Sequence, residues 1–178
     1  IRDFCLSRGL GDVYKRQYWE FKGQPGYGMH INILPDGCTD FIFTLGEAPK
    51  AVHDSLVMQP YHAYFIGAMT KYSELVTHTV TVHMLGIRFL PCGILRFMDL
   101  PLQELTNLRL NADELTSLFT HSFAERLGEL GTIQEHLVFI ENFLLQALCR
   151  YSPKTERSML FALSLIHISE PTRQAEIS

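Results

Sequence analysis

Arg88 stands in an otherwise apolar stretch, Leu85-Gly86-Ile87-Arg88-Phe89-Leu90, and Asp36 and Asp40 sit on either side of Gly37-Cys38-Thr39 well upstream of it. A guanidinium on such a strand has two uses. It can pair with Asp36 or Asp40 and tie a turn to the body of the protein, or it can anchor a carboxylate or other anionic effector in an interior. The histidines His30, His53, His62, His78, His83, His121 and His136 form no H-x-H pair. His78 and His83 are five apart, so on one strand they point to opposite faces, and no metal site is expected from them. Cys38 and His30 could serve as nucleophile and base only if the fold joined them, and their spacing gives no warrant for that. A structural thiol is the better expectation. No G-x-S-x-G, H-E-x-x-H or Gly-rich phosphate loop occurs. Neither catalysis nor a cofactor is expected.

The two ends of the chain must be set aside before the fold is considered. Gln17 read as CAG and Leu163 as CTG are reverse complements. Arg16 as AGA matches Ser164 as TCT, and Lys15 as AAG matches Leu165 as CTT. The pairing runs without a break to Arg2 as CGA against Ser178 as TCG, sixteen residue pairs of one inverted repeat. Selection on a protein gives no reason for such a pattern. The implied nucleotides resemble the transposon-derived adapter of a sequencing-library kit, as in a metagenomic read. Residues 1–17 and 163–178 are therefore expected to be adapter-derived, and any strand or helix there reflects propensity without selection.

The remaining stretch, residues 18–162, is long enough for one domain with a real core. The whole chain has 15 Lys+Arg and 19 Asp+Glu, and its net charge is −4. The middle alone holds 10 basic and 15 acidic residues, a net charge of −5. Without a basic stripe it is not expected to grip a phosphate backbone itself. Cys38, Cys92 and Cys149 lack paired C-x-x-C spacing, which fits reduced thiols in a cytoplasmic protein. No apolar run reaches the roughly 18 residues of a membrane span, so no membrane partner is expected.

The elements that must position these groups change character near Pro91. Before it the period is two. Residues 18–21 and 30–34 are predicted strands, the second ending at Pro35-Asp36-Gly37, a strong turn signal. Phe41, Phe43 and Leu45 alternate with Ile42 and Thr44, and short strands follow at 56–58 and 63–66. Residues 75–89 read as one long ribbon with Val80, Val82 and Met84 on one face and Thr79, Thr81 and His83 on the other. Gly86 is read as a bulge or bend in it. Several short strands with regular turns imply a small antiparallel barrel or sandwich, able to hold a small ligand.

After Pro91 the period is helical. Pro91 suits the first turn of a helix through Phe97. Asn111 precedes Asp113 and Glu114 as an N-cap, and Ser122 with Glu125 and Thr132 with Glu135 have capping-box spacing. The last helix, 133–150, carries Ile133, Leu137, Ile140, Leu144 and Leu148 on one stripe, widened by Val138, Phe139, Phe143 and Leu145. So apolar a helix is either buried against the barrel or also pairs with a second subunit as a homodimer. The fold class is thus α+β: a small antiparallel β-barrel or sandwich, cupin-like in shape, over 18–90, followed by about four helices over 91–151. Residues 152–162 read as a linker and the start of a further domain.

Two stretches, Leu34-Pro35-Asp36-Gly37-Cys38-Thr39-Asp40 and Leu85-Gly86-Ile87-Arg88-Phe89-Leu90-Pro91-Cys92-Gly93, resemble signatures of an N-terminal domain found ahead of AraC-type helix-turn-helix regions in bacteria. The aromatic pair Tyr18-Trp19 and the strand end Phe65-Ile66-Gly67 fit the same pattern in the same order. Within that pattern Pro35, Asp36, Gly37, Gly67, Gly86, Phe89, Pro91 and Gly93 are read as structural. Trp19, Asp40, His83 and Arg88 are the candidate ligand-binding residues. The resemblance implies the effector-sensing and dimerisation domain of a transcription regulator, cut before its DNA-binding domain. Its partners would be an unidentified small-molecule effector and, through the missing part, DNA. A stand-alone ligand-binding barrel with no DNA role is the alternative.

Overall fold

The computed structural model describes residues 2–4, 15–51, 56–90 and 92–150. Residues 163–178 and 152–162, expected to be adapter and linker, lie outside them, as do His53 and Pro91. Nine strands appear in chain order: β1 (Arg2–Phe4), β2 (Lys15–Gly23), β3 (His30–Ile33), β4 (Thr39–Thr44), β5 (Lys50–Ala51), β6 (Ala63–Ile66), β7 (Ser73–Val76), β8 (Val82–Phe89) and β9 (Arg109–Asn111). A 3-10 turn, Gly93–Arg96, and three helices, α1 (Ala112–Leu115), α2 (His121–Gly128) and α3 (Ile133–Arg150), complete the fold.

The strands form a six-stranded sheet in the order β1-β2-β8-β4-β6-β9 and a three-stranded sheet in the order β3-β7-β5, with every pair antiparallel. Among the described residues neither sheet closes on itself. The architecture is the sandwich of the two expected alternatives, not the barrel.

Side-chain parity explains why β4 and β8 are apolar almost throughout. Phe41, Phe43, Leu85, Ile87 and Phe89 face the helices, where they meet Phe119, Phe123, Leu137, Ile140 and Leu144 in one buried cluster. Ile42, Val82 and Met84 point the other way, into a second cluster with Met58, Tyr64, Ile66 and Met69. A sheet covered on both faces needs apolar residues at both parities. The molecule is therefore three layers: helices, large sheet, small sheet. The aromatic pairs that hold the first interface include Phe41–Phe119 at 4.6 Å and Phe43–Phe123 at 5.4 Å between ring centroids. Such pairs add to the burial of their area.

Three expectations are corrected. The predicted ribbon 75–89 is two strands in different sheets. Its β-branched middle, from Thr77 to Thr81, crosses between them, and the Thr77 hydroxyl bonds Gly26 O at 2.6 Å and accepts from Met29 N at 2.9 Å. The helix expected from Pro91 through Phe97 is only the 3-10 turn. Cys92 precedes it at φ 62, a left-handed conformation that cannot continue a helix, so three α-helices and this 3-10 turn stand among the described residues. The cap of α2 is Thr120, whose hydroxyl accepts from Phe123 N, and Ser122 falls inside the helix. By contrast α3 begins where its pattern places it. Thr132 and Glu135 form the reciprocal box, with Thr132 N to Glu135 Oε2 at 2.9 Å and Glu135 N to Thr132 Oγ1 at 3.3 Å.

Candidate functional site

Between the two sheets lies a cavity of about 510 Å³. Its floor is the face of the large sheet that points away from the helices, and strand register arranges that floor in rows. One row runs Gln17–Arg88–Asp40–Ile66–Arg109 across β2, β8, β4, β6 and β9. The next runs Trp19–Gly86–Ile42–Tyr64, and the third holds Phe21 and Met84. Ile31, Ile33 and Leu75 of the small sheet form the roof, with Leu56, Met58 and Met69 between the sheets. The cavity is thus polar along one end row and apolar beyond it, the arrangement of a site for a small amphipathic molecule.

The polar row is built around Arg88. Its Nε and Nη2 donate to Asp40 Oδ1 and Oδ2 at 2.9 and 2.8 Å, a side-on fork, while Nη1 meets Asp36 Oδ2 at 2.9 Å. Both readings of the ion pair are realised together: Arg88 takes Asp36 and Asp40. The Asp40 hydrogen bond holds Arg88 firmly in its charged form. Burial pushes the Asp40 carboxyl up, and Arg88 opposes that shift.

Asp36 comes from a different place. It sits in the Pro35-Asp36-Gly37 turn, with Gly37 at φ 68, where a side chain would be strained. Its Oδ1 accepts from Cys38 N at 3.0 Å, which closes an Asx turn. Its side chain is 34% exposed against 11% for Asp40, so one carboxylate belongs to the sheet and the other to its rim.

Trp19 covers Gly86. A Cβ at Gly86 would lie 2.1 Å from the indole ring, and β8 runs through this point in unbroken register. Gly86 is therefore not a bulge: it makes room for Trp19. The indole Nε1 has no acceptor at hydrogen-bonding geometry, although it lies near enough to Asp40 to favour the carboxylate. Gly67 has the same kind of reason, since a Cβ there would meet Leu105 O at 1.8 Å. Phe89 packs edge-on to Phe41 and Phe97, and Gly93 is buried at the start of the 3-10 turn.

Of the four candidate ligand-binding residues, Trp19, Asp40 and Arg88 line the cavity together. His83 does not. It has the opposite parity on β8 and faces the helices, where Nε2 lies 3.0 Å from Glu20 Oε1 and the ring is 6.4 Å from that of His136. His30 and Cys38 are also apart in role: His30 pairs with Glu74 at 2.6 Å across β3 and β7, whereas Cys38 lines the cavity. Among the described residues no three His, Cys, Asp or Glu side chains gather to hold a metal.

Among the lining residues outside those candidates are Gln17, Phe21, Asp36 and Arg109. Asp36 was read as a turn residue and as one of two possible partners of Arg88, not as part of a ligand site, and Gln17 as adapter. Phe21 follows Trp19 at the strand period, which could have pointed to it. Arg109, whose Nη2 donates to Ser73 Oγ, lies in a three-residue strand with no pattern of its own.

No described helix is long and apolar enough to cross a membrane. No curated protein matches the chain. The family model of DUF6597, a domain of unknown function, matches residues 13–111, over half of the 178 residues. The match takes in β2 to β9 and every residue of the polar row, and the chain belongs to that family.

Proposed function

We propose that this chain is the effector-sensing domain of a bacterial AraC-family transcription regulator, working in the cytoplasm, with the cavity between the sheets as the effector site. The observation that carries the sensing role is the cavity itself: about 510 Å³, apolar over most of its wall and charged along one row. That volume lies in the range of small-molecule sites. The regulator assignment rests on the ordered signatures around Asp36 and Arg88. A homodimer through α3 draws support from Val138 and Leu145, which are 49% and 38% exposed and, seven residues apart, share one face of that helix.

In this reading residues 152–162 lead toward a DNA-binding domain, and the two ends are translated adapter. Resequencing the source DNA across both junctions with a library that uses no transposon adapter tests both statements. A frame that runs on past Ala162 into two short helices, the second basic, upholds the regulator. A stop within a few residues leaves a stand-alone ligand-binding sandwich, the alternative that the cavity supports equally. Persistence of both repeats in the source DNA would remove the adapter account.

A further inference from the structure

Arg88 has two carboxylate partners that are unequal. Asp40 is its neighbour in register, largely buried, and engages two nitrogens side-on. Asp36 reaches in from a turn, is a third exposed, and touches only Nη1. Exchanging a one-point, partly exposed ion pair for another costs little, whereas breaking the Asp40 fork would strand a buried charge.

The charges of the lining lead the same way. Asp40 answers Nε and Nη2 of Arg88, and Asp36 answers Nη1. With Asp36 turned out to solvent, Nη1 of Arg88 is left at the cavity wall without its carboxylate, beside an apolar floor of Trp19, Phe21 and Met84. Such a lining complements one molecule with one negative charge and an apolar body.

We propose that Asp36 is an internal stand-in for the ligand, and that the effector is a monocarboxylate with an apolar tail which displaces it from Arg88 Nη1. The proposal rests on the effector-site reading of the cavity. The carboxylate replaces Asp36 on Nη1, and the tail lies over the Trp19–Gly86 row. Loss of its guanidinium partner frees the Pro35-Asp36-Gly37 turn, so occupancy is written into the position of that turn.

Trp19 is the single tryptophan of the chain, and its fluorescence reads this site directly. The test titrates the 178-residue chain with 4-phenylbutanoate, 4-phenylbutan-1-ol and 4-phenylbutylamine, and repeats the series on Asp36→Asn and Arg88→Met. Asparagine keeps an oxygen for Cys38 N but removes the competing charge. Expected are a preference for the carboxylate, a roughly two- to fivefold tightening of it alone in Asp36→Asn, the equivalent of one exposed ion pair, and loss of the preference in Arg88→Met. Equal or tighter binding of the alcohol or amine, or no tightening in Asp36→Asn, overturns the stand-in while leaving a ligand cavity. If none of the three probes changes Trp19 emission in wild type or Asp36→Asn, the cavity reading fails and the proposal fails with it. Asp36→Asn lies in an exposed turn and carries the decision should Arg88→Met not fold.

Discussion

The indole of Trp19 occupies the space that a side chain at position 86 would need, with its Cε2 atom 2.1 Å from the Cβ that any residue but glycine would place there. A glycine in mid-strand weakens a sheet unless something uses the room, and here a buried aromatic uses it. Gly86→Ala should therefore lower stability by about 1–3 kcal/mol through overpacking, with a shift in Trp19 emission. Urea unfolding followed by fluorescence reads both. An unchanged midpoint would show that the indole has somewhere else to go.

Arg88→Met leaves Asp40 buried beside apolar groups. The expected cost is roughly 3 kcal/mol, the low end for a broken buried pair because Arg88 is a quarter exposed. Adding Asp40→Leu should recover most of it, since removing both partners leaves no orphaned charge. The four chemical denaturation curves of this double-mutant cycle give the coupling. Additive losses would mean that the pair is not a unit.

His136 is buried on α3 and faces His83 and Glu20. Burial, and secondly the nearby His83, holds its pKa below the ordinary value of about 6.5. Below that ordinary value the unfolded chain binds the proton before the folded one does. Stability should thus be intact above about pH 6.5 and decline as pH falls from there toward the lowered folded value. Comparing His136→Leu with wild type between pH 7.5 and 5, as a difference of denaturation free energies, isolates this group from the other histidines. A difference that does not change with pH would contradict the assignment.

Thr132 begins the longest helix. Its hydroxyl accepts from Glu135 N, and Glu135 returns bonds to the backbone of Gly131 and Thr132. Thr132→Ala should cost about 1 kcal/mol, and Thr132→Ser should restore most of that. Thermal melts of the two variants decide whether the box holds the start of α3 or merely decorates it.

What could be read in the sequence follows from the range of each interaction. The start of α3 was legible because a cap box and the opening of an apolar stripe are both local. The opposite parity of His83 and Met84 was legible too, and it already separates His83 from Arg88. The split of 75–89 into two strands was not: Thr77 to Thr81 suits a strand locally, and only contacts with Gly26 and Met29 show where the chain leaves one sheet. The partners of Arg88 were named from composition, but their inequality depends on register for Asp40 and on exposure for Asp36. Gln17 and Arg109 enter the site through cross-strand pairing alone, which no window along the chain can display.

β4 and β8 carry a further consequence. Each is paired on both edges and covered on both faces, so one strand's successive residues belong alternately to the cavity floor and to the helical core. The partition between compartments is a single backbone thick. Arg88 and Ile42 share their backbone with Ile87 and Phe41, whose side chains are set in the close-packed helical core. That places the helical layer one peptide away from whatever fills the sandwich.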